Sequence, residues 1–259
     1  AANRVGKSEA GAYELTCHLT GLYPQWWAGR RFETPVECWA VGTNSQTTPI
    51  VPASGASPAF AIDVAQLGGM YAGKITLVGT EAGVGVRNAG YIGASAGEVL
   101  VSADGRLINS GSLNSNAPLR VESRAGIDNT ASGSLYSQSD LGLTTQGDIS
   151  NSGVIATRGN LALTANGSTS RITGAAGSLL GAGVQSDGAL IGDARLDVSA
   201  TQSIAQHGQL LSSGQQSHSA GTIDLTGSQT SARALALQSN SALDLSGPTL
   251  AVSQACTAL

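Results

Sequence analysis

Large and charged side chains are scarce in this sequence. Aromatic residues make up 4% of its 259 positions, too few to fill a globular core with rings. Burial therefore has to come from many small and aliphatic side chains stacked in series. Charged residues reach only 12%, and a net charge of -4 leaves no basic stripe that could neutralise a phosphate backbone, so no nucleic-acid partner is expected. No run approaches the roughly 18 to 20 apolar residues needed to cross a bilayer, which excludes a transmembrane helix as a reading. The N-terminus, Ala1-Ala2-Asn3-Arg4, lacks both the regions of a signal peptide and an initiator Met, so the sequence reads as an internal piece of something longer. Cysteine is nearly absent. Cys17, Cys38 and Cys256 form an odd set without metal-ligand spacing, and Cys17 and Cys38 are either a disulfide or two free thiols. The cysteine-free run from residue 39 to 255 suits a chain that crosses membranes unfolded.

What the sequence does have is glycine, 35 residues of it, and a 41% hydrophobic fraction that argues against disorder. It also has a period. The tripeptide hydrophobic-x-Asn occurs at Val86-Arg87-Asn88, Leu107-Ile108-Asn109, Ile127-Asp128-Asn129 and Ile149-Ser150-Asn151, with steps of 21, 20 and 22 residues between the asparagines. Between these lie short apolar alternations closed by turn residues, as in Val99-Leu100-Val101-Ser102-Ala103-Asp104-Gly105. The same pattern returns at Leu119-Arg120-Val121, Leu141-Gly142-Leu143, Leu161-Ala162-Leu163, Leu196-Asp197-Val198, Ile223-Asp224-Leu225, Leu235-Ala236-Leu237 and Leu243-Asp244-Leu245. The middle residue of each is expected to face out and the outer two in.

A repeat of this size is too short for a strand, a crossover helix and a second strand, and a propeller blade needs about 40 residues. The remaining geometry climbs one strand spacing per repeat and pairs each coil in parallel with the one below. The expected fold is all-β, a right-handed parallel β-helix (solenoid) with about 20-22 residues per coil, about nine coils and about 45 Å long. On it, Asn88, Asn109, Asn129 and Asn151 fall at one corner, either as an inward ladder of stacked amides or as tolerant turn residues. The pattern loosens after residue 171, where Ile172-Thr173-Gly174 lacks the Asn, and Gly177 to Gly192 reads as an insertion. Residues 1-58, with Trp26, Trp27 and Trp39, show no period and are a cap, a remnant of a neighbouring domain or a poorly ordered end; residues 59-259 are the β-helical shaft.

The segment from Ala61 to Val86, with Gln66-Leu67-Gly68-Gly69-Met70-Tyr71-Ala72-Gly73-Lys74-Ile75 at its centre, closely resembles a signature of the filamentous haemagglutinin family. These are the large exoproteins of two-partner secretion, including the contact-dependent growth inhibition proteins, and the repeats from Asn88 onward look like theirs. The resemblance implies a right-handed β-helical haemagglutinin-repeat shaft, secreted through a dedicated outer-membrane two-partner secretion transporter and displayed at the bacterial cell surface. There it would meet a receptor or glycan of a host or neighbouring cell. The sequence departs from the family in three places. The Asn-Pro-Asn-Gly motif of the secretion domain and the Val-Glu-Asn-Asn border of the toxin modules are missing, and residues 1-58 match poorly apart from Gly21-Leu22-Tyr23.

No residue stands out as catalytic, cofactor-binding or metal-binding. Gly83-Val84-Gly85 and Gly181-Ala182-Gly183 start no helix and read as turn glycines rather than a dinucleotide loop. His18, His207 and His218 offer no i,i+4 pair and read as polar surface. The outward acids Glu122, Asp197, Asp224 and Asp244 come one per coil, and the local concentration Asp187, Asp193, Arg195, Asp197 reads as solvated. Asn166-Gly167-Ser168 is an Asn-Gly turn. The expected function is a structural and adhesive shaft segment, not an enzyme. The alternatives are the stalk of a contact-dependent toxin-delivery protein, or a β-helical carbohydrate-binding or polysaccharide-cleaving protein, for which Tyr71, Tyr91 and Tyr136 are the sugar-stacking rings available.

Overall fold

The computed structural model describes residues 59-258, together with Gln25 as an isolated turn residue. The expectations for residues 1-58, including Cys17, Cys38 and His18, therefore lie outside the described residues. The chain divides into two units, residues 1-54 and 55-259, and the fold is that of the second.

Short alternations separated by Gly and Ser produce short strands. The first coil is β1 (Phe60–Val64), β2 (Gly69–Ala72) and β3 (Ile75–Gly79), and the next is β4 (Gly85–Asn88), β5 (Tyr91–Ala94) and β6 (Val99–Ala103). Strand β4 lies parallel on β1, β5 on β2 and β6 on β3. The three-strand unit repeats along the chain, and in the last coils the corners fuse into the long strands Gln215–Asp224, Gln229–Asp244 and Thr249–Ala258. The result is a parallel β-helix of about nine coils with three sheets, named I, II and III after the strands β1, β2 and β3 that begin them. No helix occurs among the described residues, and so none is long and apolar enough to cross a membrane.

The interior consists of columns that run along the axis. Leu119, Leu141, Leu161 and Leu196 stack in register on sheet III, with Val121, Leu143, Leu163 and Val198 beside them. Leu113, Leu135, Ile155, Leu180 and Leu210 form the column of sheet II. All of these are at most 1% exposed. Each is worth about 1.5 to 3 kcal/mol of burial. Six of the seven Leu-x-Leu-type triplets bury both outer residues, as the alternation requires. In the seventh, Leu243 is half-buried and Leu245 exposed, because no described strand lies above Ala242-Leu243-Asp244 on sheet I.

The insertion is placed differently from its sequence reading. Leu179–Ala182 is a regular sheet II strand, paired with Val154–Thr157 below and Gln209–Ser212 above. The extra residues are 183-195, where the preceding coil needs only residues 158-160 to pass from sheet II to sheet III. They fold back over the outside of sheet II. Val184 and Leu190 form an antiparallel bridge, and the Tyr136 hydroxyl donates to the Val184 carbonyl at 3.3 Å. Val184 is buried over Gly181, where an added Cβ would come within 2.7 Å of it.

Candidate functional site: the corner ladder and the outer faces

At the corner between sheets I and II, a hydrophobic-x-Asn strand points both its outer residues inward. Asn88, Asn109, Asn129 and Asn151 are all at most 1% exposed and share one register column. The Asn88 amide donates to Asn109 Oδ1 at 2.8 Å, Asn109 to Asn129 at 2.8 Å, and Asn129 to Asn151 at 2.9 Å. The Asn151 amide ends the series on the Leu179 carbonyl at 3.1 Å. Within the coil, Asn88 and Asn151 accept from the N–H groups of Gly90 and Gly153, so each also caps its own turn. The glycine two residues on is demanded by close approach: a Cβ on Gly111 would lie 2.0 Å from the Gly90 carbonyl, and one on Gly153 2.2 Å from that of Gly133. The fuller motif is thus hydrophobic-x-Asn-x-Gly, and its Gly was readable in the sequence at residues 90, 111 and 153.

Above Asn151 the column continues as Gly174 and Gln206. The longer Gln206 side chain reaches down to the place a side chain at 174 would occupy, 1.9 Å from a built Cβ. Its buried amide finds no hydrogen-bond partner there. The other two corners carry buried hydroxyls. At one, Ser137 Oγ donates to the Ala117 carbonyl at 2.9 Å, and at the other, Ser123 Oγ donates to that of Gly105 at 2.8 Å. Serine is so common in this sequence that only its phase at the end of each alternation marks these positions.

His218 is not polar surface. It is fully buried, in phase with Gln216, and the pair interrupts the leucine columns between Leu196 and Val198 below and Leu235 and Leu237 above. Its Nε2 meets Gln216 Oε1 at 3.3 Å and its Nδ1 has no partner. Burial holds its pKa down at about 4. The sequence signal was the alternation Gln216-Ser217-His218-Ser219-Ala220, whose inward positions happen to be polar. His207 lies at the surface beside Asp224, 3.9 Å away.

The outside is asymmetric. Sheet I presents Asp63, Arg87, Asp128, Asp224 and Asp244, and sheet III presents Arg120, Glu122 and Asp197. Many charges pair one coil apart, Lys74 with Glu98 at 2.7 Å and Arg106 with Asp128 at 2.6 Å. The carboxyl of Asp104 is held below its ordinary range first by the Gly83 N–H and then by Arg124. Asp193 of the insertion is likewise engaged by Arg233 at 2.7 Å, and Asp197 on sheet III by Arg195 at 2.6 Å. Among the described residues no group of three or more His, Cys, Asp and Glu could hold a metal ion. Two shallow depressions on sheet III share Glu122 and Thr144, one floored by Gly142 and Ala162.

Sheet II is different. Its outward positions run in two columns, Gly69, Tyr91, Ser112, Ser134, Val154, Leu179, Gln209, Gln229, Thr249 and Tyr71, Gly93, Asn114, Tyr136, Ala156, Gly181, Leu211, Ser231, Ala251, with no charge in either. The topology thus gathers Tyr71, Tyr91 and Tyr136 onto one face. The rings of Tyr71 and Tyr91 stack with centroids 4.9 Å apart and planes at 17°.

The haemagglutinin-repeat family matches the chain at residues 43-111, 94-171 and 169-247. A toxin CdiA of Yersinia pestis is 44% identical over 194 residues, 74% of this chain and 6% of that protein. A tRNA nuclease CdiA-2 of Burkholderia pseudomallei is 50% identical over 29% of the chain and 2% of its own length. A 16S rRNA endonuclease CdiA of Enterobacter cloacae is 33% identical over 41% of the chain and 4% of its own length. The chain thus spans only a small part of the relatives it matches. No solved structure matches it. With the repeat matched across residues 43-247 and the described residues folded as a parallel β-helix, the chain belongs to the haemagglutinin-repeat family, as a shaft segment of a large secreted surface exoprotein.

Proposed function

We propose that this segment acts mechanically, as a stiff non-enzymatic spacer that carries adhesive surface away from the cell. The observation that carries this reading is the register that continues coil upon coil through all three sheets. Backbone pairing along the axis resists bending, and each coil completes itself on the one before, which suits a chain that folds as it emerges from a pore. In this reading Asn88, Asn109, Asn129 and Asn151 are a structural ladder that locks the corner, and the parent is exported by an outer-membrane two-partner secretion transporter. Residues 59-259 form the shaft and residues 1-58 a separate N-terminal element. The surface contact is a receptor or glycan of a host or neighbouring cell, met by many weak contacts repeated along the rod.

Asp63, Asp128 and Asp197 on sheets I and III, and Asp193 of the insertion, each face an arginine and not a second carboxylate, which supports a non-catalytic role. A second reading, the stalk of a contact-dependent toxin-delivery protein, is favoured by the toxin and nuclease names of the CdiA relatives and requires the same mechanics. The test is adherence of beads coated with the 259-residue chain to bacterial and epithelial cells. Saturable retention that soluble chain competes away is expected; retention no better than that of albumin-coated beads would overturn the adhesive part of the reading.

A further inference from the structure

Resting on the adhesive reading above, we propose that the uncharged outer face of sheet II is the recognition face of this shaft, and that its ligand is a neutral oligosaccharide. Charge segregates on this molecule. The acids and arginines stand on sheets I and III, at the corners and in the insertion, whereas no rung of sheet II, from Gly69–Ala72 to Thr249–Ala251, presents a charged side chain. Its first rungs, before the insertion covers the middle ones, present tyrosine, serine, asparagine and glycine. That composition offers flat rings and adaptable hydrogen bonds at little entropic cost. Depletion of charge with enrichment of aromatics is also what separates the centre of a recognition surface from ordinary surface.

The rings are held in place. Tyr71 is 76% exposed yet stacked on Tyr91. Tyr91 lies over Gly93, where an added Cβ would stand 2.4 Å from the ring, and Tyr71 lies over Gly69 at 2.8 Å. Tyr136 is fixed at the other end by its bond to Val184. Between them Ser112, Asn114 and Ser134 form a low polar floor.

Area and charge choose the occupant. The four rungs before the insertion, spaced about 4.8 Å apart and about four residues wide, cover roughly 250 Å², well short of the about 800 Å² per partner that a stable protein interface needs. A second copy of the shaft would be held weakly, while a slender chain fits. An uncharged face gives an anionic glycan no partner and leaves the hydroxyls of a neutral one free to bond, with its C–H faces packed on the tyrosines. The rise of one coil is also close to the length of one sugar unit in an extended β-linked chain.

The experiment is saturation-transfer NMR on the whole 259-residue chain with cellotetraose, maltotetraose, N-acetylchitotetraose and a heparin-derived tetrasaccharide. At least one neutral tetrasaccharide should bind, with affinity indifferent to salt. It should fall at least tenfold in Asn114→Glu and in Tyr91→Ser and stay within twofold in Thr164→Glu, which alters sheet III; all three variants should keep the wild-type circular dichroism. Binding of none of the neutral sugars, binding of heparin alone, or loss confined to Thr164→Glu would overturn the proposal. So would a dimer in sedimentation that Asn114→Glu dissociates, since the occupant would then be a second copy. Asn114→Glu beads that adhere to cells as well as wild type would overturn this face while leaving adhesion intact, whereas wild-type beads that fail to adhere would remove the adhesive reading itself.

Discussion

His218 is the residue whose environment most contradicts its chemistry. It sits between Val198 and Leu237 with Gln216 as its polar neighbour, and none of the buried polar residues around the described core is an Asp, Glu, Lys or Arg. Protonation would place an uncompensated charge in the apolar column. The sign follows from the depressed pKa: the unfolded chain takes the proton near the ordinary 6.5, the folded chain only at about 4. The neutral imidazole therefore costs no stability above pH 6.5, and stability is lost as the pH falls towards 4, by about 3 kcal/mol in all. Denaturant melts at pH 7.5 and pH 4.5 should show most of that loss in the wild type and a much smaller one in His218→Leu; equal losses would place the acid sensitivity elsewhere. That position illustrates what periodicity can and cannot convey. The alternation through Gln216-Ser217-His218-Ser219-Ala220 gives the strand and its inward phase, but reading a histidine as surface puts residue type above phase, and here phase decides. The buried serine hydroxyls of the other two corners, Ser137 and Ser123, were hidden for the opposite reason, since their type is too common in this chain to stand out.

Among the elements, the corner between sheets I and II was the most legible, because its asparagines repeat at nearly the coil period and are spaced by an aliphatic partner that also points inward. On the proposed ladder, Asn109→Ala with Asn129→Ala leaves the amide of Asn88 and the carbonyl of Asn151 without their side-chain partners. Three buried amide–amide bonds are lost with the pair, each worth about 0.5 to 1.5 kcal/mol, so the double variant should lose about 2 to 4 kcal/mol in urea. A midpoint unchanged from wild type would mean that the asparagines are only turn residues. The insertion was less legible at its start. Leu179-Leu180-Gly181-Ala182 shows no alternation, and Gly181 owes its identity to Val184 packing on it from outside. Gly181→Val should therefore unseat the insertion. Limited proteolysis between residues 184 and 191 should accelerate at least tenfold while the global melt moves by about 1 kcal/mol or less, as expected of a change confined to a local unit. Unchanged proteolysis would mean that the insertion is not held by that contact.

At the scale of the whole described unit, the molecule is a one-dimensional object. Each coil touches its neighbours, and contacts between residues far apart in sequence recur every 20 to 25 positions along the chain. The family resemblance carried by residues 61-86 and the period carried by the asparagines lead independently to the same rod, whereas the charge asymmetry among the three faces became visible only once the coils were aligned. The central claim is that successive coils climb one strand spacing in register, and distance measurements along one face test it most directly. Spin labels placed on the outward column of sheet II, with the three native cysteines replaced by serine, should report Cα separations of about 19 Å for Ser112 with Gln209, about 24 Å for Ser112 with Gln229 and about 29 Å for Ser112 with Thr249. A linear climb of about 4.8 Å per coil is the predicted result; separations that do not grow with coil number would contradict the β-helix and the shaft function built on it.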